Sequence, residues 1–353
     1  MKETIKSITA DKYIVAGLFL VLAILPVFSS LYTTQLMGKI ITFIILALAL
    51  DILWGYGGLM NLGFAVFFGL GGYITGIALA CRNGLPAFMK AGGLEELPWF
   101  YRPLENMQAA IVLSVLLPAL LALFLGYFIF TSKIKGVFFN LITLAFAALF
   151  ELFIKTNQVY TGGSSGVNGV AKGLKDIALF GNTIDIRGWY YIAFVSLVII
   201  YFFCLWLTES RFGKVVKSVR DNEARLQFLG YNPAVFKMAL FAIAGAIAGF
   251  GGALYVPITS FISIENAGIT FSTILLIWLA VGGRGSLSGA IFGTLTVSLL
   301  QSKLSGVLGD FWQIVLGLLL IAIVLILPKG IIGTIIDMQY NSRIVKELQK
   351  KDR

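Results

Sequence analysis

Seven polar side chains stand inside stretches that are otherwise almost wholly apolar: Asp51, Asn61, Asn140, Thr143, Glu151, Thr273 and Gln301. Carboxylates, amides and hydroxyls are costly in such settings and tend to pair or to face a polar cavity. The chemistry they offer is hydrogen bonding to a polar solute in transit, not bond making. Asp51, inside "ILALALDILWGYGG", reads either as a structural acid paired within a helix bundle or as a path residue. Glu151 has Lys155 at i+4, the spacing of a helix-surface ion pair. Asn61 also suits a helix cap. The sequence contains no histidine, which removes His-based metal sites, Ser-His-Asp triads and histidine proton relays. It contains no G-x-x-x-x-G-K-[ST] run and no catalytic carboxylate constellation. The expectation is a chain that is not an enzyme and holds no metal or cofactor.

The elements that position these groups follow from composition. Of 353 residues, 58% are hydrophobic and 12% charged, and the mean hydropathy is +0.92. Apolar runs of membrane-crossing length recur, so the expected class is an all-α integral membrane protein. About ten spans can be drawn, near 13–31, 39–55, 62–81, 108–130, 137–154, 189–207, 235–256, 269–282, 287–302 and 311–327. The ninth is short and reads as tilted, broken or re-entrant. The first follows Lys2, Lys6 and Lys12, lacks a clear cleavage site and reads as a retained span. With both termini cytoplasmic, the inner segments carry 18 of the 27 Lys and Arg residues, in line with the positive-inside rule. The formal charge of +10 then reflects inner loops meeting anionic lipid, not nucleic acid. Cys81 and Cys204 fall near opposite faces, so no bridge is expected. The longer outer segments, 82–106 and 155–188, read as an interfacial lid or as a docking surface for an extracytoplasmic partner.

One inner segment, "RFGKVVKSVRDNEARLQFLGYNP" at 211–233, is a charged island in this oily chain. Phe212, Val215, Val216, Val219, Leu226 and Leu229 fall at helical spacings among Arg211, Lys214, Lys217, Arg220 and Arg225. Asp221 or Asn222 can cap a second short helix, and Gly230 followed by Pro233 can end it. Such a unit reads as an amphipathic helix on the inner leaflet, or as a coupling helix seated in the groove of a cytoplasmic motor.

Glycines cluster in two regions, one including Gly57, Gly58 and Gly63, the other Gly282, Gly283 and Gly285. A weak repeat at an offset of 225 relates Gly57, Gly58, Leu62, Ala65 and Phe67 to Gly282, Gly283, Leu287, Ala290 and Phe292. These clusters read as close helix packing or as paired helix breaks that gate a path.

The run "NEARLQFLG" resembles the Glu-Ala…Gly motif in the cytoplasmic loops of ABC importer permeases, with Glu223, Ala224 and Gly230 in the motif's places and a spacing one residue longer. "GYGGLMNLGFAVFFGLGGY", "TGGSSGVNGV", "AGFGGALYVP", "WLAVGGRGSLSGAIFG" and "LPKGIIG" resemble, in order, the permeases of branched-chain amino acid and urea importers. "LPAFM", "LPWFYRP", "QFLGYNPAVFK" and "GGRGS" look like the larger urea-importer permease, which makes urea the expected solute and branched-chain amino acids the alternative; "TGGSSG" leans to the latter. Phe64 stands where the family commonly carries His, so a role for that His is absent here. The resemblance implies one permease domain over 1–353 in a bacterial inner membrane, with a coupling loop at 208–234 and a cytoplasmic tail at 334–353. It also implies a second homologous permease, two ATPase subunits that bind ATP and Mg, and an external solute-binding protein on 82–106 and 155–188. Arg211, Phe212, Lys214, Val215, Arg220, Glu223, Ala224, Arg225, Leu229 and Gly230 would meet the ATPase. The rival from another class is a passive channel or ion-driven transporter needing no ATPase.

Overall fold

The computed structural model describes residues 2–82, 84–174, 178–179, 182–312, 314–315, 317–318 and 321, with the side chains of the first helix described from Val15. The expected tenth span lies mostly outside these residues, and the tail 334–353 lies wholly outside them. The described chain is almost entirely helical: α1 (Lys2–Phe28), α2 (Leu31–Asp51), α3 (Ala65–Cys81), α4 (Ala87–Ala91), α5 (Met107–Thr131), α6 (Val137–Thr156), α7 (Gln158–Thr161), α8 (Val170–Leu174), α9 (Ile186–Glu209), α10 (Arg211–Asp221), α11 (Glu223–Phe228), α12 (Pro233–Thr259), α13 (Ile269–Gly282) and α14 (Leu287–Leu308). A two-residue antiparallel pair, β1 (Ala178–Leu179) with β2 (Asn182–Thr183), sits in the loop before α9.

Among the described residues, six helices are long and apolar enough to cross a membrane, and three shorter apolar ones are Val15–Phe28, Ala65–Cys81 and Ile269–Gly282. Side-chain caps start several of them. Ser30 Oγ accepts from Thr33 N–H, Asn106 Oδ1 from Gln108 N–H and Asn232 Oδ1 from Ala234 N–H, each satisfying a donor left over by the helix start. The Ser30 cap corrects one sequence boundary. The second span opens at Leu31 instead of residue 39, so Lys39 lies within α2 and not at its start. The ninth span is corrected too. The α14 helix runs 22 residues, about 33 Å at 1.5 Å per residue, so it is neither short nor broken. The short helices are α3, with 17 residues, and α13, with 14, and irregular glycine-rich backbone adjoins each.

Helix α12 is the central member, packed on α5, α3 and α2. Its approach to α3 requires glycine at the crossing: a Cβ on Gly71 would meet the Gly249 carbonyl, and one on Gly252 would meet that of Phe68. Burial separates inner from rim helices. The most apolar window of α2 is 89% buried, that of α6 only 22%. Phe138, Leu141, Leu149 and Leu152 on α6, and Ile199, Phe202 and Trp206 on α9, face outward, as apolar side chains do toward lipid.

The bundle has two distinct ends. One carries α10, α11, the loop 132–136 and both glycine breaks. At the other, Tyr101 Oη donates to the Tyr160 carbonyl, Phe100 packs on Tyr160 with ring centroids 5.7 Å apart, and Val167 N–H donates to the Ile262 carbonyl. The described residues of the loops 82–106 and 155–188 thereby form a joint platform, with Trp99 and Phe100 exposed on it.

Candidate coupling site

The charged island folds as two short helices in series. Ser210 caps α10 through a hydrogen bond from Gly213 N–H, and Asn222 caps α11 through one from Arg225 N–H. Gly230 adopts φ +84, the left-handed conformation that closes a helix without a Cβ penalty, and Pro233 opens α12. The apolar stripe does not point outward as a whole. Val216, Val219 and Leu226 are buried against the bundle, whereas Phe228 and Leu229 are 92% and 69% exposed. Phe212 is half-buried, its ring 5.7 Å from that of Phe236. The stripe thus seats the helix pair on its own chain, and the free apolar tip is Phe228–Leu229, followed by Tyr231. Arg211, Lys214, Ala224 and Arg225 are exposed around it, and Val215 is half-buried.

Two charged contacts lock this pair to the membrane helices. Glu223 Oε2 lies 2.8 Å from Lys135 Nζ and 3.0 Å from Lys237 Nζ, which ties α11 to the α5–α6 loop and to α12. Burial pushes the Glu223 carboxyl up, but the hydrogen bonds and charges of the two lysines outweigh it and hold the pKa below the ordinary value. At the end of α10, Arg220 Nη1 donates to the Gly55 carbonyl at 2.7 Å, and the guanidinium also pairs with Asp221. The Arg220 stem packs over Gly58, where a Cβ would come within 2.6 Å of Cγ.

Gly55 belongs to a π-helical turn, Ile52–Tyr56, that ends α2; such turns widen the helix and mark local departures from regular pairing. The backbone then runs without regular helix from Gly57 to Phe64. A second break separates α13 from α14. Gly58, at φ +71, and Gly283, at φ +107, occupy matching places in the two breaks, as the 225-residue offset suggests. The breaks touch. Gly285 N–H donates to Asp51 Oδ1 at 2.7 Å, and a Cβ on Gly55 would overlap both the Asp51 carboxylate and the Gly285 backbone. Lys217 Nζ stands 5.0 Å from the Tyr56 ring centroid, and Arg284 Cζ 5.9 Å from that of Trp54, so cations flank the π turn from both partners. A continuous set of contacts therefore runs from α10 through Arg220, Gly55 and Asp51 to Gly285.

Two of the other polar residues singled out above satisfy this irregular backbone. Asn61 Oδ1 accepts from Gly63 N–H, and Thr143 Oγ1 accepts from Leu62 N–H. Ser272 Oγ, which sequence reasoning missed, accepts from Ala65 N–H. Phe64 is fully buried in the core. Glu151 pairs with Lys155 at 2.7 Å, and the exposed Thr273 donates to the carbonyl of Ile269 on its own helix. Asn140 lines a cavity of about 230 Å³ at the coupling end, together with Gly58, Lys135, Arg220, Glu223 and Lys237. Gln301 lines a second cavity at the far end. No group of His, Cys, Asp and Glu suited to a metal ion occurs among the described residues.

Membrane-crossing helices with two touching glycine breaks, and a charged helix pair clasped beside them, define a multi-pass membrane protein. The chain belongs to the family of branched-chain amino acid transport system permease components, whose profile matches residues 32–324. It is 23% identical to the high-affinity branched-chain amino acid transport system permease protein LivM of Escherichia coli K12 over 94% of this chain and 80% of that relative. It is 25% identical to the corresponding permease protein BraD of Pseudomonas aeruginosa, over 83% of this chain and 92% of that relative. It is 24% identical to the autoinducer 2 import system permease protein LsrC of Escherichia coli O9:H4 (strain HS), over 62% and 63%. No solved structure gives a significant match. These relatives support the branched-chain amino acid alternative better than the urea reading. Two of the runs read as urea-like, "LPAFM" and "LPWFYRP", fall in and beside α4 and the 3-10 turn Trp99–Glu105.

Proposed function

We propose that this chain is the membrane subunit of an ATP-driven importer of branched-chain amino acids in a bacterial inner membrane, working with a second permease, two ATPase subunits and an external binding protein. The ATPases grip the exposed Phe228–Leu229 tip and the surrounding Arg211, Lys214 and Arg225, in the manner of an apolar anchor ringed by charges. The binding protein docks on the platform formed by 82–106 and 155–188. ATP and Mg belong to the ATPases; this chain supplies the mechanical relay.

The observation that carries the reading is the unbroken contact from α10 to both helix breaks through Arg220, Gly55, Asp51 and Gly285. Closure of the ATPases shifts the α10–α11 pair, and its clasp on Lys135 and Lys237 stops it sliding independently. The shift is delivered to the two places where the bundle lacks regular backbone pairing and bends at least cost. The experiment is ATP hydrolysis by the purified assembly in proteoliposomes with leucine-loaded or urea-loaded binding protein. Stimulation by leucine supports the reading; stimulation by urea alone overturns the solute, and uptake by this chain without ATPases overturns the mechanism.

A further inference from the structure

At the end opposite the coupling helices, α2, α12 and α14 line a half-open cavity of about 390 Å³, within the roughly 300–1,000 Å³ range of small-molecule sites. Among the described residues its one charged lining residue is Lys39, its polar lining includes Gln35, Ser298 and Gln301, and Ile40 and Phe43 line it on an apolar side. Among the described residues Lys39 has no carboxylate partner. Its Nζ lies 5.5 Å from the centroid of Phe43, one turn further into α2. A cation over an aromatic face is attracted by the ring. Ser298 Oγ is buried without a partner, and Gln301 makes no side-chain hydrogen bond among the described residues. Among the described residues, a cation with no carboxylate partner, an unsatisfied hydroxyl and an unbonded amide line one mixed polar and apolar space that holds no acidic residue.

We propose that this cavity binds the carboxylate of a small, apolar-tailed solute, with Lys39 as its counter-ion and the Ser298 and Gln301 side chains as hydrogen-bond partners. This rests on the importer reading and specifies how its solute is held on the way through. A solute without a carboxylate, such as urea, would leave Lys39 without an anionic partner; a carboxylate pairs with it, and the aliphatic tail covers Ile40 and Phe43.

The test is protection from labelling in the full permease–ATPase assembly, without binding protein. A Ser305→Cys variant puts a thiol on the exposed rim of the cavity, and the native Cys81 and Cys204 are both buried. Leucine and isovalerate, which carry the carboxylate, should slow maleimide labelling; isoamylamine and urea should not. Lys39→Met should weaken protection by leucine at least about ten-fold, the usual cost of losing a charged hydrogen bond, and Lys39→Arg should restore most of it. Protection by isoamylamine equal to that by isovalerate, or unchanged protection in Lys39→Met, overturns the proposal. The wild-type assembly's response to leucine-loaded binding protein, measured in parallel, separates the two claims. Hydrolysis that responds to leucine while no carboxylate protects the thiol refutes the cavity and leaves the importer standing.

Discussion

Replacing Arg220 by Met cuts the relay at its first contact. The bond it removes is a guanidinium–carbonyl hydrogen bond of 2.7 Å to Gly55. Hydrogen bonds to charged groups contribute about 1.5–3 kcal/mol, and the Arg220 side chain is 40% exposed, so solvent screening places the effect near the lower end of that range. About 1.5 kcal/mol is roughly a ten-fold change in an equilibrium. If closing the ATPases moves the helix breaks through this bond, solute moved per ATP hydrolysed should fall by about that factor while basal hydrolysis stays close to wild type. Arg220→Lys keeps the charge but loses the fork geometry, and should fall between. Arg211→Met removes a cation from the same helix without touching Gly55 and serves as the control for direct loss of ATPase docking. The relay can also be cut from its other side: Gly55→Ala would press a methyl group into Asp51 and Gly285, an overpacking that costs about 1–3 kcal/mol. The combined variant should show much less than the sum of the two losses, because both break one link. Uptake per ATP in Arg220→Met equal to wild type, at normal abundance, would refute the relay.

Glu223→Ala leaves Lys135 and Lys237 without their shared partner and should destabilise the seating of α11 by about 1–3 kcal/mol, read as faster proteolysis within the 223–232 loop. The Glu223 clasp also sets a pH limit. Because the folded carboxyl titrates below its ordinary 4.5, its contribution is fully present above that value and is lost only as pH falls through the lower folded one; uptake per ATP should therefore not titrate through this group between neutrality and about 4.5. Val216→Gly should weaken α10 by about 1 kcal/mol and Val219→Pro by at least about 3 kcal/mol, seen as stepwise loss of uptake with the membrane helices intact by circular dichroism. Phe228→Ser with Leu229→Ser changes only exposed residues, and should release the ATPases on size-exclusion chromatography without lowering the thermal stability of the permease.

The sequence made the bundle, the helix pair and the two breaks readable for physical reasons. Apolar runs of spanning length have few other outcomes, Asn222 and Gly230 are strong local punctuation, and a repeat of glycines marked matching breaks. The direction of the apolar stripe was not readable. Helical spacing shows that Val216, Val219 and Leu226 share a face, but not whether that face meets a partner or the parent chain. The second span was begun at Lys39 because a cation usually ends a span; the Ser30 cap that starts the helix before it is a single hydroxyl in a run of polar residues. For the polar residues inside spans the sequence left two readings open, because composition cannot distinguish a group facing a cavity from one tying down irregular backbone. That distinction needed the partners: Gly285 for Asp51, Gly63 for Asn61 and Leu62 for Thr143.

The most direct measurement is a set of spin-label distances in the full assembly, free of nucleotide and with ATP trapped, between Lys214→Cys on α10, Arg284→Cys at the second break and Tyr127→Cys on α5. A working relay moves the first two labels together, so that both distances to α5 change while the Lys214–Arg284 distance holds. If trapping ATP shifts Lys214 against α5 and leaves Arg284 where it was, the helix pair moves without the breaks, and the account of how this chain transmits work is wrong.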